Sequence, residues 1–162
     1  MPRCTSGKSA LIDDDMYDAL TQSSWNASSY GYATSTAVVD YQGKRYRRGA
    51  FMHRIVAETP DKMVTDHIDH NTFNNQRANL RVCSSANNSK NMRRHRDNKL
   101  RYKGVFKQTL SDTYGVLIMV SGKRHYLGTY ATPEIAAAWY DWGARYFHVD
   151  YAYTNTGSVS AD

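Results

Sequence analysis

The pattern of side chains in the first third of the chain predicts two short strands. They lie at residues 36–41 and 44–52 and are rich in β-branched and aromatic side chains. Gln42-Gly43 between them has the composition of a tight turn, so the two strands are expected to form a hairpin. Pro60 then interrupts the pattern. We expect a compact leader segment of mixed structure before it.

The last third of the chain shows a similar strand pattern, followed by a helix. Three strands are predicted in succession, with Ser121-Gly122 as a hairpin turn, at residues 102–107, 114–120 and 124–130. Thr132-Pro133 has the pattern of a helix N-cap followed by proline at the first helical position. Five apolar residues then recur at helical spacing and predict the face that packs into the core: Ile135, Ala138, Trp139, Trp142 and Tyr146.

Between these parts lies a polar, asparagine-rich stretch, residues 61–97, which contains short apolar runs. A Leu-Arg-Val-Cys run within it is a strand candidate. Ser84 or Ser85 then has the position of an N-cap for a helix that carries Asn88 towards Arg94. The predicted order is therefore strand, long polar loop, strand, helix.

The charge distribution indicates a polyanionic partner. The chain carries a formal net charge of +6, which attracts nucleic acid, although a soluble protein can also be basic without that role. Between residues 90 and 107, eight lysines and arginines stand against a single acid, Asp97. Such a stretch is stabilised along phosphates and repels itself otherwise. This pattern favours DNA or RNA binding.

Cysteine content and hydropathy argue against a structural zinc site and against a membrane or secreted protein. Cys4 and Cys83 are too few for a four-ligand zinc site, so no structural zinc is expected. Their scarcity suits a reducing compartment. The sequence shows no apolar run of membrane-spanning length and no signal-peptide core. We therefore expect no membrane partner and a cytoplasmic location.

The densest group of chemically useful side chains is Asp66-His67-Ile68-Asp69-His70, which many asparagines follow. On a strand, Asp66 and His67 would face opposite ways, so we expect a bend that aims both at one site. Taken alone, an Asp-His pair is more often structural than catalytic, and asparagine-rich stretches mostly indicate loops.

Three separated elements of this stretch resemble the HNH nuclease motif of phage and intron-encoded endonucleases, in the same order and spacing. They are Asp66-His67-Ile68-Asp69, the run Asn-Gln-Arg-Ala-Asn-Leu-Arg at 75–81, and residues 84–88. Asn88 stands where other branches of the family carry a last histidine. His70 is a departure, because glycine is common at that position, and the loop is expected to turn differently there.

The resemblance implies a ββα-metal site. By it, Asp66 and Asn88 hold one divalent cation, and His67 takes a proton from the attacking water. Asn79 fixes the loop and orients His67 through a hydrogen bond. Oxygen ligands suit Mg²⁺ or Mn²⁺, and a histidine that titrates near neutral pH suits general-base catalysis.

Residues 101–153 resemble an AP2-type DNA-binding domain, in which a three-stranded antiparallel sheet, backed by one helix, lies in the major groove. The likeness is carried by Tyr-Lys-Gly-Val from residue 102, by the run 122–130 and by the run 134–141. Leu117 and Met119 depart from it, since the family often carries polar base-reading side chains there. Six residues are assigned to DNA contact: Arg81, Arg93, Arg94, Lys103, Arg124 and Tyr126, with Phe106 and Gln108 as further candidates.

The sequence therefore predicts an α+β chain with an HNH ββα-metal nuclease unit and an AP2-like domain. The expected segments are the leader (1–60), the nuclease (61–97), a basic linker (98–101), the AP2-like domain (102–153) and a frayed tail (154–162).

The expected function is metal-dependent hydrolysis of double-stranded DNA, with a phage homing endonuclease as the favoured role. A DNA-binding regulator with an inactive site and a structure-specific nuclease are the alternatives. Monomer and homodimer both stay open, and so do nicking and double-strand cleavage.

Overall fold

The computed structural model describes residues 2–4, 7–92 and 98–156 of the 162-residue chain. In these ranges the chain is of α+β class, with small antiparallel sheets and few helices. It divides into two compact units, residues 1–88 and 89–162. None of the helices in the described ranges combines the length and the apolar character that crossing a membrane requires.

The N-terminal unit consists of three two-stranded antiparallel sheets and short helices. In chain order its elements are α1 (Tyr17–Thr21), β1 (Trp25–Ala27), β2 (Ala33–Ser35), β3 (Val39–Tyr41), β4 (Lys44–Tyr46), α2 (Met52–Val56), β5 (Val64–His67), β6 (Leu80–Cys83) and α3 (Ser85–Asn91). The sheets pair β1 with β2, β3 with β4, and β5 with β6. Helix α3 continues past residue 88.

The predicted hairpin forms, but its strands are shorter than expected. Gln42 and Gly43 have φ of 48° and 74°, as a tight hairpin turn with two left-handed residues requires. The second strand ends at Tyr46, so the predicted extension to residue 52 was wrong. A turn with Gly49 at φ 82° interrupts it, and Met52 instead begins α2, where its side chain is fully buried.

The segments before and after Pro60 share one hydrophobic core. Trp25 and Met52 lie in its centre, and Phe73 from the asparagine-rich loop packs against it. The backbone of Leu11 fixes that loop as well, because its N–H donates to the Phe73 carbonyl (2.8 Å) and its carbonyl accepts from Asn75 N–H (2.8 Å). The N-terminal segment thus holds the loop that carries the candidate chemistry.

The C-terminal unit is a three-stranded antiparallel sheet with one long helix. Its elements are β7 (Val105–Lys107), β8 (Tyr114–Val120), β9 (Lys123–Tyr130) and α4 (Pro133–His148), with the strands in the order β7-β8-β9. The second predicted strand is confirmed to the residue, whereas the first begins three residues later than expected. The predicted helix start is also confirmed, since Thr132 Oγ1 accepts from Ile135 N–H at 3.3 Å.

The predicted core face of α4 was wrong. Helix α4 buries a face of small residues and one aromatic ring against the sheet: Ala136, Ala137, Tyr140 and Ala144. The reason is close packing, because a Cβ on Gly143 would lie 2.5 Å from Leu127 Cδ1. Large aromatic rings would not fit at that distance. The aromatic side chains of the predicted face are half exposed instead.

The predicted frayed tail is held in place at its start. Asp141, buried in α4, accepts hydrogen bonds from the backbone N–H of Asn155 (2.6 Å) and Thr156 (3.0 Å). Thr154 is 4% exposed. The Thr156 hydroxyl adds a third hydrogen bond to the same carboxylate, and these three charge-assisted bonds hold residues 155 and 156 against α4. Residues 157–162 lie outside the described residues.

Candidate functional site

Strands β5 and β6 and helix α3 carry the residues of the predicted nuclease motif. Asp66 pairs with Arg81 across the two strands, and His67 pairs with Leu80. The expected bend between Asp66 and His67 is absent, because β5 continues through both and the chain turns only afterwards. Ser84 then begins α3 as the N-cap, and its Oγ accepts from the Asn87 N–H at 3.2 Å.

Asp66 forms a buried ion pair with Arg81. The guanidinium donates from Nε (2.8 Å) and from Nη2 (2.6 Å), both to Asp66 Oδ2. The two side chains are 8% and 17% exposed. Arg81 thus directs its charge at the candidate metal ligand, and its contact with DNA stays a prediction.

Cys83 lies beside both candidate metal ligands. Burial raises the pKa of its thiol, and the negative charge of Asp66 raises it further, while a hydrogen bond with the Asn88 backbone opposes both. These effects act only over short distances. The charge of Asp66 on β5 and the backbone of Asn88 on α3 therefore both influence this buried thiol.

His67 is held by Asn75, a residue that sequence reasoning did not single out. Asn75 is fully buried, and its Nδ2 donates to the Phe73 carbonyl at 3.3 Å. Its Oδ1 therefore faces His67 Nε2, at 3.4 Å. Because this oxygen can only accept, Nε2 carries the proton and Nδ1 carries the lone pair. Complete burial marks Asn75 as a functional candidate in the structure. In the sequence it is one of many neighbouring asparagines and does not stand out.

The His67 ring also lies near other aromatic rings, of which His53 is buried and Tyr32 and Phe51 are half-buried. His53 lies edge-on to it with ring centroids 5.1 Å apart, and Tyr32 is 5.9 Å away. Phe51 stacks on His53 at 5.3 Å. Burial lowers the pKa of His53 to about 3, and the nearby charges of His67 and Arg54 add to this. These rings form an apolar part of the surroundings and keep water from the part of His67 that they face.

Burial also lowers the pKa of His67 itself. The hydrogen bond with Asn75 and the charges of Asp69 and Asp66 act in the opposite direction. The net direction favours the neutral imidazole, which is the form that can accept a proton.

Asn79 fixes the loop through Asp69 rather than through His67. Its Oδ1 accepts from Asp69 N–H (3.0 Å), and its Nδ2 donates to Asp69 Oδ1 (2.9 Å) and to the Asn74 carbonyl (2.8 Å). The side-chain atoms of Asn79 are thus directed at Asp69 and Asn74, and the amide oxygen that faces His67 Nε2 belongs to Asn75. Asp69 is the second residue that sequence reasoning missed. Burial opposes its ionisation, but hydrogen bonds from its neighbours hold its pKa below the usual range.

The loop turns at His70 in a conformation that normally belongs to glycine. His70 has φ 62°, and its N–H donates to the His67 carbonyl at 3.0 Å. His70 therefore replaces the glycine that is common at this position, but its backbone keeps the conformation that glycine usually adopts.

The donor set at β5 and α3 fits a hard divalent cation. A carboxylate oxygen of Asp66 and the amide oxygen of Asn88 are ligands of the type that Mg²⁺ and Mn²⁺ prefer. Among the described residues, no group of three or more His, Cys, Asp or Glu side chains is placed to hold a metal ion.

The predicted DNA contacts of the C-terminal unit divide into two groups. Arg124 and Tyr126 are exposed on β9, and the Tyr126 hydroxyl accepts from Gln108 Nε2 at 3.2 Å. Lys103 does not point to solvent. Its Nζ donates to the carbonyls of Lys90 (2.8 Å) and Met92 (2.6 Å), and burial lowers its pKa to about 8.

Lys103 therefore holds the backbone of Lys90 and Met92, and its contact with DNA stays a prediction. Arg93 and Arg94, also predicted to contact DNA, lie outside the described residues.

Comparison with known proteins gives one informative relationship. No family model matches the chain. A protein of Acanthamoeba polyphaga mimivirus, named as an uncharacterized HNH endonuclease, is 28% identical to it over 151 residues. The alignment covers 92% of this chain and 75% of the viral protein. The likeness spans nearly the whole chain and supports a relationship to HNH nucleases.

Proposed function

We propose that this chain is a metal-dependent DNA endonuclease of the HNH type. The observation that carries the proposal is the order β5–β6–α3, in which Asp66 and His67 end the first strand of an antiparallel pair and Asn88 lies on the helix that follows the second. The likeness to a protein named as an HNH endonuclease supports it independently. The reaction is hydrolysis of a phosphodiester bond, in which water adds to phosphorus and the bond to the 3′ oxygen breaks.

His67 acts as the general base of this reaction. With Nε2 protonated and directed at Asn75, Nδ1 is the nitrogen that takes the proton from the attacking water. A distance of 3.4 Å is long for a hydrogen bond, and such contacts often tighten when substrate binds. The ring cluster of Tyr32 and His53 limits the positions that the imidazole can adopt.

Asp66 and Asn88 hold one divalent cation, Mg²⁺ or Mn²⁺. When bound, this ion stabilises negative charge on the phosphoryl oxygens and on the leaving 3′ oxygen. Without it, Arg81 balances the charge of Asp66, and its two contacts fall on Oδ2. Asn79 keeps the loop rigid by its three hydrogen bonds around Asp69, and so fixes the turn that follows His67.

The C-terminal unit binds double-stranded DNA in the manner of an AP2-like domain. Its sheet exposes a cation and an aromatic ring, Arg124 and Tyr126, on strand β9. A sheet of this size fits the major groove, where arginine reaches guanine or phosphate. A homing endonuclease of phage type is the role that the predicted combination of nuclease unit and DNA-binding domain favours.

Incubation with supercoiled plasmid tests this function directly. We expect nicked or linear DNA with Mg²⁺ or Mn²⁺ and intact DNA with excess EDTA. His67→Ala should lose cleavage, and His125→Ala, which changes an exposed histidine of the C-terminal unit, should keep it. Absence of cleavage by folded protein with both metals overturns the nuclease. Cleavage that persists in EDTA overturns the metal site.

A further inference from the structure

Helix α4 exposes a continuous apolar stripe on the side that does not pack on the sheet. Its members are half exposed or more: Ile135 at 47%, Trp139 at 45%, Trp142 at 51% and Tyr146 at 67%. Trp142 and Tyr146 stack with ring centroids 5.4 Å apart and planes 8° from parallel. Large apolar side chains in such a contiguous row are uncommon on a monomer and mark interaction surfaces.

The spacing of this stripe is symmetric. The intervals between its four residues are four, three and four, so the row reads the same from either end. A second copy of α4 in antiparallel orientation would set Ile135 against Tyr146 and Trp139 against Trp142. A hollow of about 350 Å³, lined by Ala138, Trp139 and Trp142, can receive an indole ring of that copy. Intervals of three and four are those of helices that pack side by side.

We propose that the protein self-associates as a two-fold dimer through antiparallel pairing of this stripe on α4. An interface of this kind uses one surface on both subunits, so a self-complementary pattern is what it requires. Tryptophan, tyrosine and arginine are also the residues most enriched among energetic hot spots of interfaces.

Charge complementarity indicates that a second copy of this chain covers the stripe, and it sets the orientation of that copy. Glu134 and Arg145 are both exposed and lie eleven residues apart, which is about three helical turns, so they share one flank of the stripe. They are roughly 16 Å apart along the axis, too far to pair within one helix. In the antiparallel dimer, Glu134 of each copy lies close to Arg145 of the other. A parallel two-fold pair would place the equivalent flanks of the two helices on opposite sides and would leave both charges unpaired.

The area of the stripe predicts a weak dimer. An aromatic side chain carries roughly 150–250 Å², so three half-exposed rings and Ile135 expose roughly 400 Å² per copy. Two copies bury roughly 800 Å² from the stripe, and the flanking residues bring the total to roughly 1,000 Å². That is the lower limit for a specific interface, and it corresponds to a dissociation constant on the order of micromolar or weaker.

Sedimentation of the full chain across about 1 to about 300 μM tests the dimer. We expect a reversible monomer–dimer equilibrium. Trp142→Glu should raise the dissociation constant at least about 30-fold, as for a hot-spot residue. The matched control is Leu110→Glu in the same unit, which is 98% exposed and should leave the equilibrium unchanged. A wild-type protein that stays monomeric over this range overturns the proposal, whatever the result of the cleavage assay.

Charge reversal tests the antiparallel arrangement. Glu134→Arg and Arg145→Glu should each weaken association, because each places like charges together twice. The double variant restores both pairs and should recover most of the affinity. Unchanged affinity in the single variants, or additive loss in the double variant, overturns this arrangement. Circular dichroism of each variant confirms that α4 is retained.

Discussion

Arg81 directs two guanidinium nitrogens at a single carboxylate oxygen of Asp66, at 2.8 Å from Nε and 2.6 Å from Nη2. The two residues are partners across β5 and β6, so the strand register itself creates the ion pair. Asp66 is 7% exposed, and the burial of its charge is costly unless that charge is paired. In the proposed nuclease, Arg81 and the cation share this carboxylate.

Replacement of Arg81 tests two roles separately: its role as the counter-charge of Asp66 and its role beside the bound cation. Without metal, Arg81→Ala should lower the free energy of unfolding by about 3 kcal/mol, because it removes a charged partner from a buried carboxylate. Mn²⁺ should then raise the melting temperature of the variant by more than that of the wild type. Thermal denaturation with and without Mn²⁺ measures both effects.

Arg48→Ala is the matched control, since Arg48 is exposed in the same unit. It should change neither the stability nor the response to metal. A variant at Arg81 with wild-type stability, or with no larger gain from Mn²⁺, would show that the ion pair has neither role.

The contact between His67 and Asn75 predicts a non-additive effect on turnover. His67→Ala should lower single-turnover cleavage by about 10²- to 10⁴-fold and leave DNA affinity nearly intact. Asn75→Ala should lower it by about tenfold or more, because the imidazole loses its fixed tautomer. Since Asn75 acts only through His67, the double variant should cleave no more slowly than His67→Ala alone.

Cleavage rates, DNA affinities and melting temperatures of the three variants decide this point. Multiplicative losses in the double variant would mean that Asn75 acts independently of His67. A drop in affinity and stability together would indicate a packing role for both residues.

The candidate site was largely predictable because its signal lies in the spacing of separate elements. The interval from Asp66 to Asn79 and Asn88 predicted a strand, loop, strand and helix, and β5, β6 and α3 have that order. The hydrogen-bond partner of His67 was not predictable, because any of several asparagines in the loop could face it. Only the three-dimensional position of Asn75 distinguishes it.

The buried face of α4 was mispredicted for a different physical reason. Hydrophobicity favours large side chains, and the stripe with Trp139 and Trp142 is more apolar than the face with Ala136 and Ala144. Contact with the sheet depends on close approach, which small residues permit. The hydrogen bonds of Lys103 were not predictable either, since a lysine in a basic run can also direct its charge at backbone carbonyls.

The buried ring of His53 predicts that the N-terminal unit loses stability in mild acid. Its pKa is about 3 in the folded chain against 6.5 as a reference, so the unfolded chain binds more protons between these values. Stability is therefore complete above about pH 6.5 and falls as the pH decreases towards about 3, by at most about 1.4 kcal/mol per pH unit. His67 and Arg54 are the charged groups that face it.

His53→Phe removes the titrating group and keeps an aromatic ring beside Phe51 and Tyr32. Urea unfolding of the N-terminal unit at pH 7.5, 6 and 5 should show a shallower loss of stability in the variant. Equal pH dependence in the variant and the wild type would assign the acid sensitivity to other groups.

Lys103 and Arg124 provide a paired test of how the C-terminal unit binds DNA. Both were expected at DNA, yet Lys103 donates to the carbonyls of Lys90 and Met92, whereas Arg124 is exposed on β9. Lys103→Met removes two hydrogen bonds from a charged donor, so it should lower the free energy of unfolding by about 2 kcal/mol. It should leave the salt dependence of DNA affinity unchanged. Arg124→Ala should leave stability unchanged and reduce the salt slope by about one, which corresponds to one lost phosphate contact.

Melting temperatures and binding isotherms from about 50 to about 200 mM salt measure both effects on the same samples. The two variants each remove one positive charge, so a general effect of net charge would change both slopes equally. A reduced slope in Lys103→Met at wild-type stability would return Lys103 to the DNA interface. If Arg124→Ala leaves both the DNA affinity and its salt dependence unchanged, the exposed face of β9 is not part of the DNA interface. An arginine at that position cannot contact a phosphate without releasing counterions.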